Sequence, residues 1–138
     1  MDELADTSAW TTRHRSDDVN AAFEEVVAAG RIATCPIVTL EVLRTARSGP
    51  DFSQMRQAFA AFPQVAITGA AWERAADVLE TFAQRAPLHH RQIPFPDAVI
   101  AAAAELAGMC IVHYDRHFEL IAEVTGQPVR AIAPLGSL

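Results

Sequence analysis

Between Asp97 and Gly108 the sequence DAVIAAAAELAG offers one polar side chain, Glu105. A helix that is apolar almost all round is a buried helix, and it cannot form an outer surface. Pro96 stands where a first helical turn tolerates proline. Asp97 then becomes a carboxylate held at the edge of a core, a position where acids are rare without a partner or a task.

Around that helix, strand and helix periods alternate. Val19, Phe23, Val26 and Val27 fall on one helical face, opened by Asp17 or Asp18 and ended by Gly30, and Arg31 to Cys35 reads as a short strand. Phe52, Met55, Phe59 and Phe62 form a second stripe after Gly49-Pro50, which suits an intramolecular core or, in surplus, a dimer or partner-helix interface, and Val65-Ala66-Ile67 reads as a buried strand. A third stripe runs through Trp72, Ala75, Ala76, Leu79, Phe82 and Ala83. Trp10, Trp72 and the phenylalanines are expected to pack the core. The segment Arg85 to Pro96, with three prolines and no period, is a loop. Met109 to Tyr114 is an apolar strand, Arg116 to about Glu123 a helix, and Val129 to Ile132 a last strand. This alternation predicts an α/β fold, a three-layer α/β/α sandwich around a mostly parallel sheet.

At 138 residues and 51% hydrophobic content the chain can close one core, and a single domain over 1–138 is expected. The longest apolar stretch falls short of the roughly 18–20 residues of a membrane span, and the start is acidic. A cytoplasmic protein without a membrane segment or cleaved leader follows as an expectation. Cys35 and Cys110 lack metal-ligand spacing and read as buried free thiols, a disulfide or redox pair being the minor alternative. All 11 basic residues are arginine, which excludes a P-loop lysine and Schiff-base chemistry. The net charge of −6 argues against a broad cationic face.

Four acids stand where such a fold leaves its sheet or starts a helix: Asp6, Glu41, Asp97 and Asp115. Parallel sheets bind ligands beyond the carboxyl ends of their strands, so the four can share one pocket. Two charges about 4 Å apart repel by roughly 4 kcal/mol at an effective dielectric near 20, and a cation must offset this. Oxygen ligands select hard ions, Mg²⁺ or Mn²⁺, and such ions promote phosphodiester hydrolysis by a metal-activated water. Helix caps or solvated charges are the plain reading of any one of these acids.

The blocks DTSAW (6–10), VTLEVLR (38–44), PDAVIAAAAELAG (96–108) and VHYDRHFELIA (112–122) resemble, in order, the four acidic blocks of PIN-domain ribonucleases, specifically VapC-type toxins. The resemblance implies a PIN fold and Mg²⁺- or Mn²⁺-dependent cleavage of RNA, tRNA or rRNA by type. It also implies a homodimer and a VapB-like antitoxin partner. Asp6, Glu41, Asp97 and Asp115 would be the catalytic, metal-binding acids, with Thr7, Ser8 and Arg116 in support. Arg13, His14, Arg15, Arg85, His89, His90 and Arg91 are candidate RNA contacts, a solvated loop being the alternative.

Two departures stand out. His117 occupies the position where many members carry a further aspartate, which leaves a second metal open. Only Leu4 and Ala5 before Asp6 suit a doubly buried strand, so either that strand is short and frayed or Met1 is not the natural start. Other readings kept open are a catalytically impaired metal- or partner-binding α/β domain and a PIN-like nuclease of RNA maturation or DNA.

Overall fold

The computed structural model describes residues 2–138, so the expectation about Met1 as the start lies outside the described residues. Along the chain run β1 (Glu3–Ala5), α1 (Thr7–Thr12), α2 (Asp17–Ala28), β2 (Ile32–Ala33), α3 (Pro36–Leu43), α4 (Gly49–Ala60) and α5 (Gly69–Arg85). They are followed by α6 (Phe95–Leu106), β3 (Cys110–His113), α7 (Arg116–Thr125) and β4 (Val129–Ala131). Short 3-10 turns cover Arg13–Arg15 and His89–Gln92. The strands form one sheet in the order β2-β1-β3-β4, and every pairing is parallel.

That order carries the functional geometry. From β1 the chain crosses through α1 and α2 to β2 on one side, and from β3 through α7 to β4 on the other. Right-handed crossovers in opposite directions put these helices on opposite faces, giving the three layers of an α/β fold. The strand order reverses between β1 and β3, which is where a parallel sheet opens a crevice at its carboxyl end.

Seven consecutive residues of α6, Ala98 to Ala104, are buried. Its one polar interior residue, Glu105, is paired with Arg74 of α5 at 2.7 Å. Gln127, buried just after α7, donates from Nε2 to the Ala101 carbonyl at 2.9 Å. Leu4, Ile111, Val112, Phe118 and Ile121 complete the centre with almost no exposure. Each fully buried side chain of this size contributes about 1.5–3 kcal/mol. The helices start where short polar residues cap them: Ser16 accepts from the Val19 N–H, Ser48 from Asp51 and Thr68 from Ala71. Gly126, at φ 72°, closes α7 in the left-handed region that favours glycine.

Several expectations need correction. Val65-Ala66-Ile67 is not a strand. Thr34 and Gln64 make an isolated parallel bridge, the Val65 N–H donates to the Thr34 carbonyl at 2.8 Å, and the chain then leaves for α5. The cause lies in β2, which offers only Ile32 and Ala33 as an edge, and in Pro63, which has no N–H for a ladder. Trp72 is 51% exposed, because α5 buries Ala71, Ala75, Val78 and Phe82 and so faces the core about one residue out of phase with the expected stripe. Phe52 and Phe95 are also exposed. Cys35 is a buried thiol, whereas Cys110 is only half-buried, and neither is in a disulfide. The strand β1 is short but not frayed: it is paired on both sides, and Glu3 is held by Arg130 through two bonds of 3.0 Å. No helix among the described residues is long and apolar enough to cross a membrane.

Candidate functional site

Because β1 and β3 are parallel neighbours, the chain leaves both at the same end of the sheet. Asp6 follows β1 directly, its N–H donating to the Val112 carbonyl at 2.9 Å. Asp115 lies two residues beyond β3. Helix α6 leads back into β3, so its first turn, with Asp97, lies at the end where β3 finishes. Glu41 sits on the second turn of α3, the helix that follows β2. Asp6 and Asp115 are also helix caps: Asp6 accepts from the Ser8 N–H at 3.0 Å and Asp115 from the His117 N–H at 2.9 Å. The capping and metal-binding readings are therefore compatible, since a cap needs one carboxylate oxygen.

His117 joins two of the acids. Its Nδ1 lies 3.0 Å from Asp97 Oδ2 and 3.0 Å from Asp115 Oδ1. One ligand atom from each of Asp97, Asp115 and His117 falls within a 4.8 Å cluster. On the other flank Thr7 Oγ1 donates to Glu41 Oε1 at 2.9 Å. Between them Ser8 Oγ donates to Asp6 Oδ2 at 2.7 Å and accepts the Tyr114 N–H at 2.9 Å.

The charges are coupled in the same sequence. Asp6 is 4% exposed, and burial raises its pKa above the usual carboxylate range against the hydrogen bonds from Ser8 and Thr7, with Glu41 adding to the rise. Asp97 is pushed up to about 7, first by burial, then by the charge of Asp6, with Asp115 contributing and His117 opposing. Charge thus links Glu41 to Asp6, Asp6 to Asp97 and Asp97 to Asp115, while the close cluster of ligand atoms is made by Asp97, Asp115 and His117. Burial raises the Cys35 thiol beside these acids, so it is no nucleophile at neutral pH. His113 is fully buried, and its Nδ1 accepts the Asp115 N–H at 3.0 Å. The ring proton therefore sits on Nε2, facing Glu119 Oε1 at 3.0 Å. Burial lowers the His113 pKa and keeps the ring neutral, a fixed prop for the backbone at Asp115.

Carboxylate oxygens and an imidazole nitrogen, partly desolvated and mutually repelling, are a donor set that a divalent cation fits. The remaining candidates are dispersed. Arg13 is paired with Glu24 and lies over Trp10 and Phe23 at 5.0 and 5.1 Å, which occupies it in packing. Arg15, Arg85, Arg91 and Arg116 are exposed, while His89 and His90 are half-buried and His89 meets Phe82 edge-on. The acid that Arg116 adjoins, Asp115, has the His117 ring 3.0 Å from its Oδ1. Sequence reasoning missed the two hydrogen bonds of the Ser8 hydroxyl and the bridge at His117. The first had a signal in the Asp6-x-Ser8 spacing, and the second had none, since it spans α6 and α7.

A family model described as PIN domain matches residues 4–124. The chain belongs to the PIN-domain family. Asp6, Glu41, Asp97 and Asp115 all fall inside the matched span. Ribonuclease VapC18 of Mycobacterium tuberculosis is 36% identical over 133 residues, 96% of this chain and 96% of that protein. Ribonuclease VapC51 of the same organism is 36% identical over 135 residues, 98% of this chain and 96% of its own length. Among solved structures, the DNA-bound VapBC of Salmonella typhimurium superposes with a TM-score of 0.72 over 96% of this chain and 100% of that one. At 16% identity this likeness establishes the PIN fold and nothing narrower. PIN-domain nucleases use a divalent metal, and the acidic cluster of this chain can hold one.

Proposed function

We propose that this chain is a metal-dependent endoribonuclease of the VapC type, the toxin of a toxin–antitoxin pair, acting as a single domain in the cytoplasm. Asp6, Glu41, Asp97 and Asp115 are its metal-binding acids, and Mg²⁺ or Mn²⁺ is its ion. The observation that carries this reading is Asp97, held 3.0 Å from His117, which also meets Asp115, and pushed up to about 7 by burial and the charge of Asp6. Such an arrangement costs stability unless a cation offsets it, and stored strain of this sort belongs to functional sites.

When bound, the ion supplies charge that neutralises a phosphoryl oxygen and lowers the pKa of a water. The chain's own residues do the positioning. Ser8 fixes one oxygen of Asp6, Thr7 orients Glu41, and His113 holds the backbone at Asp115. The N-terminus of α6 directs its partial positive charge at Asp97, which favours its ionised form once a cation is near. RNA phosphates are met by arginine and backbone N–H groups, with Arg15, Arg85, Arg91 and Arg116 the exposed candidates. Curated relatives named VapC ribonucleases and a solved VapBC complex support an RNA substrate and a VapB-like antitoxin, and tRNA or rRNA is the substrate type proposed. A homodimer is part of the same reading.

The test is cleavage of structured RNA by the purified protein with Mg²⁺ or Mn²⁺. Activity abolished by EDTA and by Asp97→Asn is expected. RNA left intact with every divalent metal would instead favour a catalytically impaired binding domain.

A further inference from the structure

We propose that His117 is a direct nitrogen ligand of the divalent ion, which makes the site a mixed carboxylate–imidazole centre that prefers Mn²⁺ over Mg²⁺. The inference rests on the metal-site reading above and deepens it.

The geometry comes from three side chains. His117 Nδ1 lies 3.0 Å from Asp97 Oδ2 and 3.0 Å from Asp115 Oδ1. The contact to Asp97 is a hydrogen bond, and one ligand atom from each of the three residues falls within 4.8 Å of the others, close enough for one ion to be held among them. Nδ1 is within reach of both carboxylates, and in the tautomer that carries its proton on Nε2 it would offer a lone pair to an ion held there. His117 is only partly buried and sits on the first turn of α7, where Asp115 caps the helix and fixes the backbone that carries the ring.

Chemistry sets the preference. Mg²⁺ favours oxygen ligands and retained water, whereas imidazole favours first-row transition ions. A histidine in place of a carboxylate also adds no negative charge to the acids Glu41, Asp6, Asp97 and Asp115. His113 cannot be the source of such a nitrogen. Its Nδ1 accepts the Asp115 N–H and its Nε2 faces Glu119.

Pulsed electron paramagnetic resonance on the full chain loaded with Mn²⁺ tests this without any RNA. The expected spectrum shows the ¹⁴N coupling of a directly bound imidazole, replaced by the ¹⁵N pattern after ¹⁵N-histidine labelling and absent in His117→Asp. Calorimetry with each metal alone should show the preference for Mn²⁺ over Mg²⁺ falling about tenfold in His117→Asp, whose fold is checked by circular dichroism. The labelled wild type decides the question even where the variant does not fold. Mn²⁺ bound with no nitrogen coupling would overturn the role of His117 and leave a carboxylate site standing. No Mn²⁺ bound at all would remove both this inference and the metal reading beneath it.

Discussion

Ser8 Oγ accepts the Tyr114 N–H at 2.9 Å, although 106 residues separate the two in sequence. The same oxygen donates to Asp6 at 2.7 Å, so one hydroxyl ties the ends of β1 and β3 together and aims a candidate ligand. Ser8→Ala leaves the Tyr114 N–H without its partner and takes from Asp6 Oδ2 the hydroxyl bond, the backbone N–H of residue 8 remaining. A loss of about 1–3 kcal/mol in urea unfolding is expected, together with weaker Mn²⁺ binding. Unchanged stability and unchanged affinity would show that the Ser8 bridge is incidental.

The pH dependence follows from Asp97. Its folded pKa, about 7, lies above the ordinary 3.8, so the protonated form is favoured by folding. This group's contribution to the stability of the metal-free protein is full below the ordinary value and is lost as the pH rises through about 7. Metal binding needs the ionised form and runs the other way. Mn²⁺ affinity should therefore climb with pH up to neutrality and then level off, and Asp97→Asn should flatten the metal-free stability profile over that window. An affinity that stays constant across the window contradicts the assignment.

Helix α4 and the turn that follows it present a divided apolar stripe. Phe59 is buried against Trp10 at 4.9 Å, while Met55 and Phe62 are half-buried and line a cleft of about 620 Å³ shared with Trp10, Val27 and Val42. Met55→Asp should leave the chain folded, because the new carboxylate reaches the open cleft. Phe59→Ala should cost about 3–5 kcal/mol by emptying a packed site. Thermal unfolding of the two variants separates core from surface, and an unfolded Met55→Asp would place the whole stripe in the core.

Much of this was legible because it is local. The apolar run of α6, the stop at Gly126 and the positions of Asp6, Asp97 and Asp115 next to strand and helix ends are each written in a few neighbouring residues. The phase of α5 was not, since its small residues offer two adjacent faces and only the packing against α6 chooses Ala71 over Trp72. The missing strand at Val65 depended on how short an edge β2 offers. His117 was visible only as a departure from an aspartate. Its bond to Asp97 joins the heads of two helices, and no spacing within either one encodes it.

Glu41, Asp6, Asp97 and Asp115 are proposed to hold one ion. Calorimetric titration of Mn²⁺ into the wild type and into Asp6→Asn, Glu41→Gln, Asp97→Asn and Asp115→Asn tests this directly. Saturable binding by the wild type and a clear loss of affinity in every one of the four variants are expected. Binding that survives intact in any two of them would contradict the shared site.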